Sequence, residues 1–194
     1  MHYPLELQFK FWALAPQLSV TDAHGSLVFY VKQKLFKLKE SISVFADTQQ
    51  SNLVYSIKAD RIIDFSASYN FTSSSGIPLG SVKRRGLRSL WKAQYDIFEG
   101  ATVVMTIREK NPWVKVMDGL FGEIPIIGLF SGYVFNPAFV VMRSDGTIVM
   151  SLEKQPSFFS RKFTIKQLNQ LSEQEEMQVL LSLVMMILLE RSRG

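Results

Sequence analysis

At 194 residues, 47% of them hydrophobic and 15 of them phenylalanine, the chain has enough apolar side chains for one folded domain and too many for a disordered polymer. It has no cysteine, which excludes disulfides and thiolate metal sites, and only two histidines, His2 and His24, which excludes a histidine metal cluster. The formal charge of +5 is modest but unevenly spread, with Lys32, Lys34, Lys37 and Lys39 in one stretch and Lys83, Arg84, Arg85, Arg88 and Lys92 in another.

Along the chain the first pattern is a period of two. Leu5, Leu7, Phe9 and Phe11 alternate with Glu6, Gln8 and Lys10, the signature of a half-buried strand. The same segment lacks the basic start and continuous apolar run of an export signal, so a cytoplasmic location is expected. Alternation returns at Ser41 to Phe45 and in further short runs to about residue 168, and about a dozen strands can be counted. Turn signals interrupt them at Asp22-Ala23-His24-Gly25, Ser73-Ser74-Ser75-Gly76 and Ser144-Asp145-Gly146. After each glycine comes a strand, then a polar or basic connector (32–39, 83–88, 153–157), then a second apolar strand, which predicts a hairpin repeated three times. The uneven spacing from Gly25 to Gly76 to Gly146 excludes a solenoid of fixed period.

The extra length before the third copy falls at 111–136, which is rich in glycine, proline and large apolar residues. Trp113, Val114, Val116, Met117, Leu120 and Phe121 fit one face of a short helix that Gly122 would stop, and the rest reads as a plug or strand over the barrel. The alternative for this insertion is a loop that dips into a membrane or docks a partner.

Near the end, Ser172-Glu173-Gln174-Glu175 forms a capping box and predicts a helix over 173–190. Its acids lie at the N-terminus and Arg191 and Arg193 at the C-terminus, as the helix dipole favours. The run from Met177 to Leu189 is apolar on every side and must be surrounded by protein or by lipid. At the helical rise it spans about 20 Å against a hydrocarbon thickness of about 30 Å, so burial inside the domain is expected. The fold class that follows is a single mainly β domain over 1–194, a closed antiparallel barrel of about twelve strands around a central C-terminal helix.

The stretch Val20-Thr21-Asp22-Ala23-His24-Gly25-Ser26-Leu27-Val28-Phe29-Tyr30-Val31-Lys32-Gln33-Lys34-Leu35-Phe36 resembles the opening motif of LURP-one-related proteins. Gly80-Ser81-Val82-Lys83-Arg84, Ser144-Asp145-Gly146-Thr147-Ile148 and the terminal helix fall where that family also has strands and its closing helix. The resemblance implies a fold similar to tubby C-terminal domains and phospholipid scramblases, a twelve-stranded barrel threaded by a hydrophobic helix. The insertion at 111–136 departs from the pattern. Tubby domains bind phosphoinositides and scramblases act at membranes, but kinship of fold carries neither function across.

No phosphate loop and no nucleophile elbow occurs, and the two histidines leave no base for a serine nucleophile. A non-enzymatic binding or scaffolding role without a cofactor or metal is therefore expected. The candidate site is a basic barrel edge of Lys32, Lys34, Lys37, Lys39, Lys83, Arg84, Arg85 and Arg88, suited to anionic lipid headgroups at a membrane surface, with Phe36, Leu87 or Trp91 inserting beside them. The bland reading of the same cations is a solvated edge that protects strands from pairing. A protein partner docked on 111–136 is the runner-up. Nucleic acid, suggested by Phe9-Lys10-Phe11 and Trp91-Lys92, comes third because the basic residues are too few to charge the whole domain strongly.

Overall fold

The computed structural model describes residues 1–10, 17–33, 42–61, 67–85, 94–110, 138–155 and 162–191. The insertion at 111–136, together with Lys34, Lys37, Lys39 and Arg88, lies outside the described residues. Twelve strands run in chain order: β1 (Leu5–Phe9), β2 (Gln17–Thr21), β3 (Leu27–Gln33), β4 (Ile42–Phe45), β5 (Leu53–Ala59), β6 (Ser68–Ser73), β7 (Pro78–Arg84), β8 (Gln94–Glu99), β9 (Thr102–Glu109), β10 (Ala138–Arg143), β11 (Ile148–Lys154) and β12 (Lys162–Gln167). One helix, α1 (Glu173–Arg191), follows them.

Every strand pairs antiparallel with its chain neighbours, and β12 closes on β1 through Leu5 opposite Ile165 and Leu7 opposite Phe163. The period-two pattern explains which way the wall faces. Leu5, Leu7 and Phe9 are buried while Glu6 and Gln8 between them are exposed. Apolar residues thus point inward and polar ones outward, the reverse of a barrel that spans a membrane with its strands. Among the described residues, no helix is long and apolar enough to cross a membrane.

A ring of twelve fits one helix. Strands about 4.8 Å apart and tilted about 40° place the wall roughly 12 Å from the axis, and a helix with its side chains is about 10 to 12 Å across. One layer of inward side chains fills the difference. Gln178 to Leu188 is buried at every position, so α1 has no solvent face over three turns. Its partners come from opposite sides of the ring: Tyr3 next to β1 donates to Glu176 Oε1 at 2.8 Å, and Gln178 Nε2 donates to the carbonyl of Leu79 in β7. The helix therefore runs through the barrel, as its all-round apolarity requires.

The capping box forms as the sequence predicts. Ser172 N–H donates to Glu175 Oε2 at 2.9 Å and Glu175 N–H to Ser172 Oγ at 3.3 Å. Arg143 reaches the same carboxylate from β10, with Nη2 3.1 Å from Oε1. The Ser172 N–H, then partial burial in the opposite sense, then Arg143 leave Glu175 below the usual carboxylate range. A depressed folded-state value means that the contribution is present above the unfolded carboxyl range and is lost as pH falls through the folded value. Glu175→Gln is accordingly expected to lower stability by up to about 1 kcal/mol at neutral pH and to flatten the acid limb of a urea-midpoint series.

The threefold repeat appears in the geometry, with a longer unit than the hairpin the sequence suggests. Gly25, Gly76 and Gly146 have φ of 79°, 85° and 89°. Each N–H bonds the carbonyl three residues back, of Asp22, Ser73 and Arg143, at 2.9 to 3.0 Å. A bulge precedes each turn, at Val20/Thr21, Phe71/Thr72 and Val141/Met142. These turns join β2 to β3, β6 to β7 and β10 to β11, so the unit is four strands and a third of the ring. The turns between them use other chemistry, an Asp47 carboxylate that gathers Ser51 and Asn52 and a tight turn at Gly100, which hides the period in the sequence.

Candidate functional site

Antiparallel order sorts the connections between two ends. The glycine turns, the other tight turns and the start of α1 lie at one, the helix-entry end. At the other, the helix-exit end, the strands flanking 34–41 and 86–93 begin and finish and Arg191 emerges. The entry half carries eight carboxylates, Glu6, Asp22, Asp47, Glu99, Asp145, Glu173, Glu175 and Glu176, against Arg143 and Lys166, the two histidines aside. Among the described residues the exit half carries Lys10, Lys32, Lys58, Arg61, Lys83, Arg84, Arg85, Arg108, Lys110, Lys154, Lys162 and Arg191 against Asp60, Asp96, Glu109, Glu153 and Glu190. The formal +5 therefore conceals a barrel polarised along its axis.

The turn aspartates of the acidic end are held below the usual carboxylate range. A backbone N–H from Thr147 holds Asp145 low, and one from Ser51 does the same for Asp47. Desolvation pushes Asp22 up, but the N–H groups of Ser26 and His24 outweigh it and hold it low. The Asp22 bonds, both 3.0 Å, and the 2.8 Å bond at Asp145 match the turn-capping role expected from their places before glycine.

At the basic end the predicted cations take different positions. Lys32 faces outward but leans away from this end, donating from Nζ to Gln50 Oε1 in the β4–β5 turn at 2.8 Å. Lys83 faces outward between Ser68 and Asp96 of the adjoining strands. Arg85 is 56% exposed at its side chain and sets Nε 3.0 Å from Asp96 Oδ2. Arg84 points inward, because Val82 before it is buried and side chains alternate. Its side chain is 11% exposed and pairs with Glu190 of α1 at 3.9 Å. The same carboxylate accepts from Tyr95 Oη, and burial, then the Glu190 bond, push that phenol far above its usual range. Arg191 lies 4.5 Å over the Phe9 ring. Phe9 is thereby enclosed and offers no face for a nucleic-acid base.

Lys83 and Arg85 are thus outer cations, whereas Arg84 fastens the helix to the wall. The strands bounding the two basic connectors are a third of the ring apart at one end. Lys10, Arg61, Arg108, Lys110, Lys162 and Arg191 join that end from distant parts of the chain, and only strand pairing reveals them. Among the described residues no group of three or more His, Asp or Glu side chains is arranged to hold a metal ion.

The family model for LURP-one-related proteins matches residues 27–167. A solved structure of an Arabidopsis thaliana protein superposes with a TM-score of 0.55 at 17% identity, covering 99% of this chain and 93% of that one, which supports the fold alone. No curated protein matches the chain in sequence. The match over most of its length, on the barrel just described, places this chain in the LURP-one-related family.

Proposed function

We infer that this domain is a non-enzymatic binding module that sits on anionic membrane surfaces with its helix-exit end toward the lipid. The observation that carries the reading is the axial charge polarity: the cations of six strand pairs converge on one end while the carboxylates of the turns occupy the other. Juxtamembrane cations contribute about 1 kcal/mol each near an anionic leaflet, so a handful suffices for salt-sensitive association. Lys83 and Arg85 are the described outer cations of this surface, Lys32 stands at its margin with its ammonium drawn toward Gln50 of the β4–β5 turn, and Lys34, Lys37, Lys39 and Arg88 belong to it by sequence. Arg84 serves the barrel instead.

Vesicle co-sedimentation of the full chain tests it. Binding to vesicles rich in phosphatidylserine is expected to fall steeply between about 50 and 300 mM salt. Lys83→Gln with Arg85→Gln should weaken it several-fold, and Lys34→Glu, Lys37→Glu and Lys39→Glu together should abolish it. Equal binding to neutral vesicles would overturn the reading and point to an apolar segment.

A further inference from the structure

The exposed large apolar side chains form a second pattern. Beyond the first residue, those among the described residues are Leu53, Ile77, Ile148 and Leu168, at 41%, 63%, 38% and 52% exposure. All four lie at the helix-entry end. They make two pairs. Ser74 N–H donates to the Val54 carbonyl at 2.8 Å and ties the turn bearing Ile77 to the strand that starts at Leu53. Asn169 Nδ2 donates to the Ile148 carbonyl at 2.8 Å and ties Leu168 to Ile148. The first pair spans β5 to the start of β7 and the second β11–β12, so their centres lie between five and six strands apart in a ring of twelve and face each other across the mouth. Between them stand the carboxylates of the first turn of α1 and Glu99, which accepts from Gln174 at 3.1 Å.

Single exposed apolar residues need no explanation on a protein surface. Four at one end, flanking a field of carboxylates, specify a partner chemistry. A purely cationic ligand would leave the apolar pairs wet, and a purely apolar one would bury Glu99 and Glu173 beside the Arg143–Glu175 ion pair. A second copy of this chain would offer its basic end, but the described residues there include no exposed large apolar side chain to meet the pairs.

We propose that the helix-entry end docks a cationic amphipathic segment of another protein, its apolar side chains on the Leu53–Ile77 and Ile148–Leu168 pairs and its lysines or arginines over the carboxylates between them. The mouth is about 24 Å across, so a helix of about 16 residues bridges it. With the opposite end on a membrane, this end faces away from the lipid and remains open to such a partner.

The probe is a fluorescent 18-residue Leu/Lys peptide with its leucines on one helical face, titrated into the full chain and read by anisotropy. Its controls are the same composition scrambled off one face, and a Leu/Glu counterpart. Binding about tenfold tighter than for either control is expected, weakened about tenfold by Ile77→Ser with Ile148→Ser. A similar loss is expected from Asp145→Asn with Glu173→Gln, since the amide introduced at the turn keeps an acceptor oxygen for the Thr147 N–H while losing the charge. Lys83→Gln with Arg85→Gln should leave peptide binding unchanged, and the two entry-end variants should sediment with anionic vesicles like the parent, so this proposal and the membrane reading fail separately. Absence of binding, equal affinity for the scrambled peptide, or no loss in the entry-end variants would overturn the proposal. Self-association of the parent that Ile77→Ser with Ile148→Ser abolishes without peptide would also overturn it and name a second copy as the occupant.

Discussion

Gly80→Ala is expected to destabilise the domain by about 3 kcal/mol or more, a fall in melting temperature of roughly 6 to 12 °C for a chain of this size. Three costs combine at this residue. Its φ of 128° lies where a side chain is strained. A Cβ there would come 2.4 Å from the Phe98 carbonyl oxygen, a backbone atom of β8 that cannot step aside. It would also come 2.8 Å from Gln178 Nε2, displacing the amide that bonds the Leu79 carbonyl and leaving buried polar groups without that bond. Gly25 and Gly146 are internal controls: they too have positive φ, but nothing lies within 4 Å of a Cβ at either. Alanine at these turns should cost about 1 kcal/mol, from backbone strain alone. A urea series on the three variants reads the difference, and equal losses would show that α1 does not press on β7 at Gly80.

Arg84→Glu should cost about 3 to 5 kcal/mol, whereas Lys83→Glu one residue earlier should cost about 1 kcal/mol or less. Lys83 lies on the outer wall, partly exposed and opposite Asp96, so its reversal adds one cross-strand repulsion at the surface. Arg84 points into the barrel, and reversing it sets a largely buried carboxylate beside Glu190, whose own side chain is a third exposed. Adding Glu190→Arg to Arg84→Glu restores the opposite signs and should recover part of the loss, which thermal unfolding of the single and double variants would show. Losses of the same size at 83 and 84 would mean that β7 does not alternate as described.

These two residues also show how far the sequence can be read. Val82, Lys83 and Arg84 continue a period-two pattern that places Arg84 inside, but a row of cations looks like a connector, and a strand ended before that row leaves Arg84 off the wall. Elsewhere local patterns suffice. The box at Ser172 to Glu175, the apolar run over 177–189 and the alternation of β1 each carry their structural meaning within a few residues, so helix, strands and closure around a central helix are all legible. The axial polarity is not. It depends on which end of the ring each of twelve antiparallel strands delivers its charges to, and a count by sequence stretch mixes Asp47 with Lys58 and Asp145 with Lys154, which lie at opposite ends. The opposed apolar pairs are non-local for the same reason, since paired strands and turns bring Leu53 and Ile77, and Ile148 and Leu168, to the same parts of the rim.

The most direct measurement of how the domain meets a membrane uses the absence of cysteine, which lets one introduced thiol report without background. Gln155→Cys places an environment-sensitive dye at the helix-exit end without removing a charge, and Ser144→Cys places the same dye at the entry end. On adding phosphatidylserine-rich vesicles, the dye at 155 is expected to shift to the blue and be quenched by lipid-borne quenchers, while the dye at 144 keeps its spectrum in water. A blue shift at 144 with none at 155, or equal shifts at both, would contradict binding through the basic end.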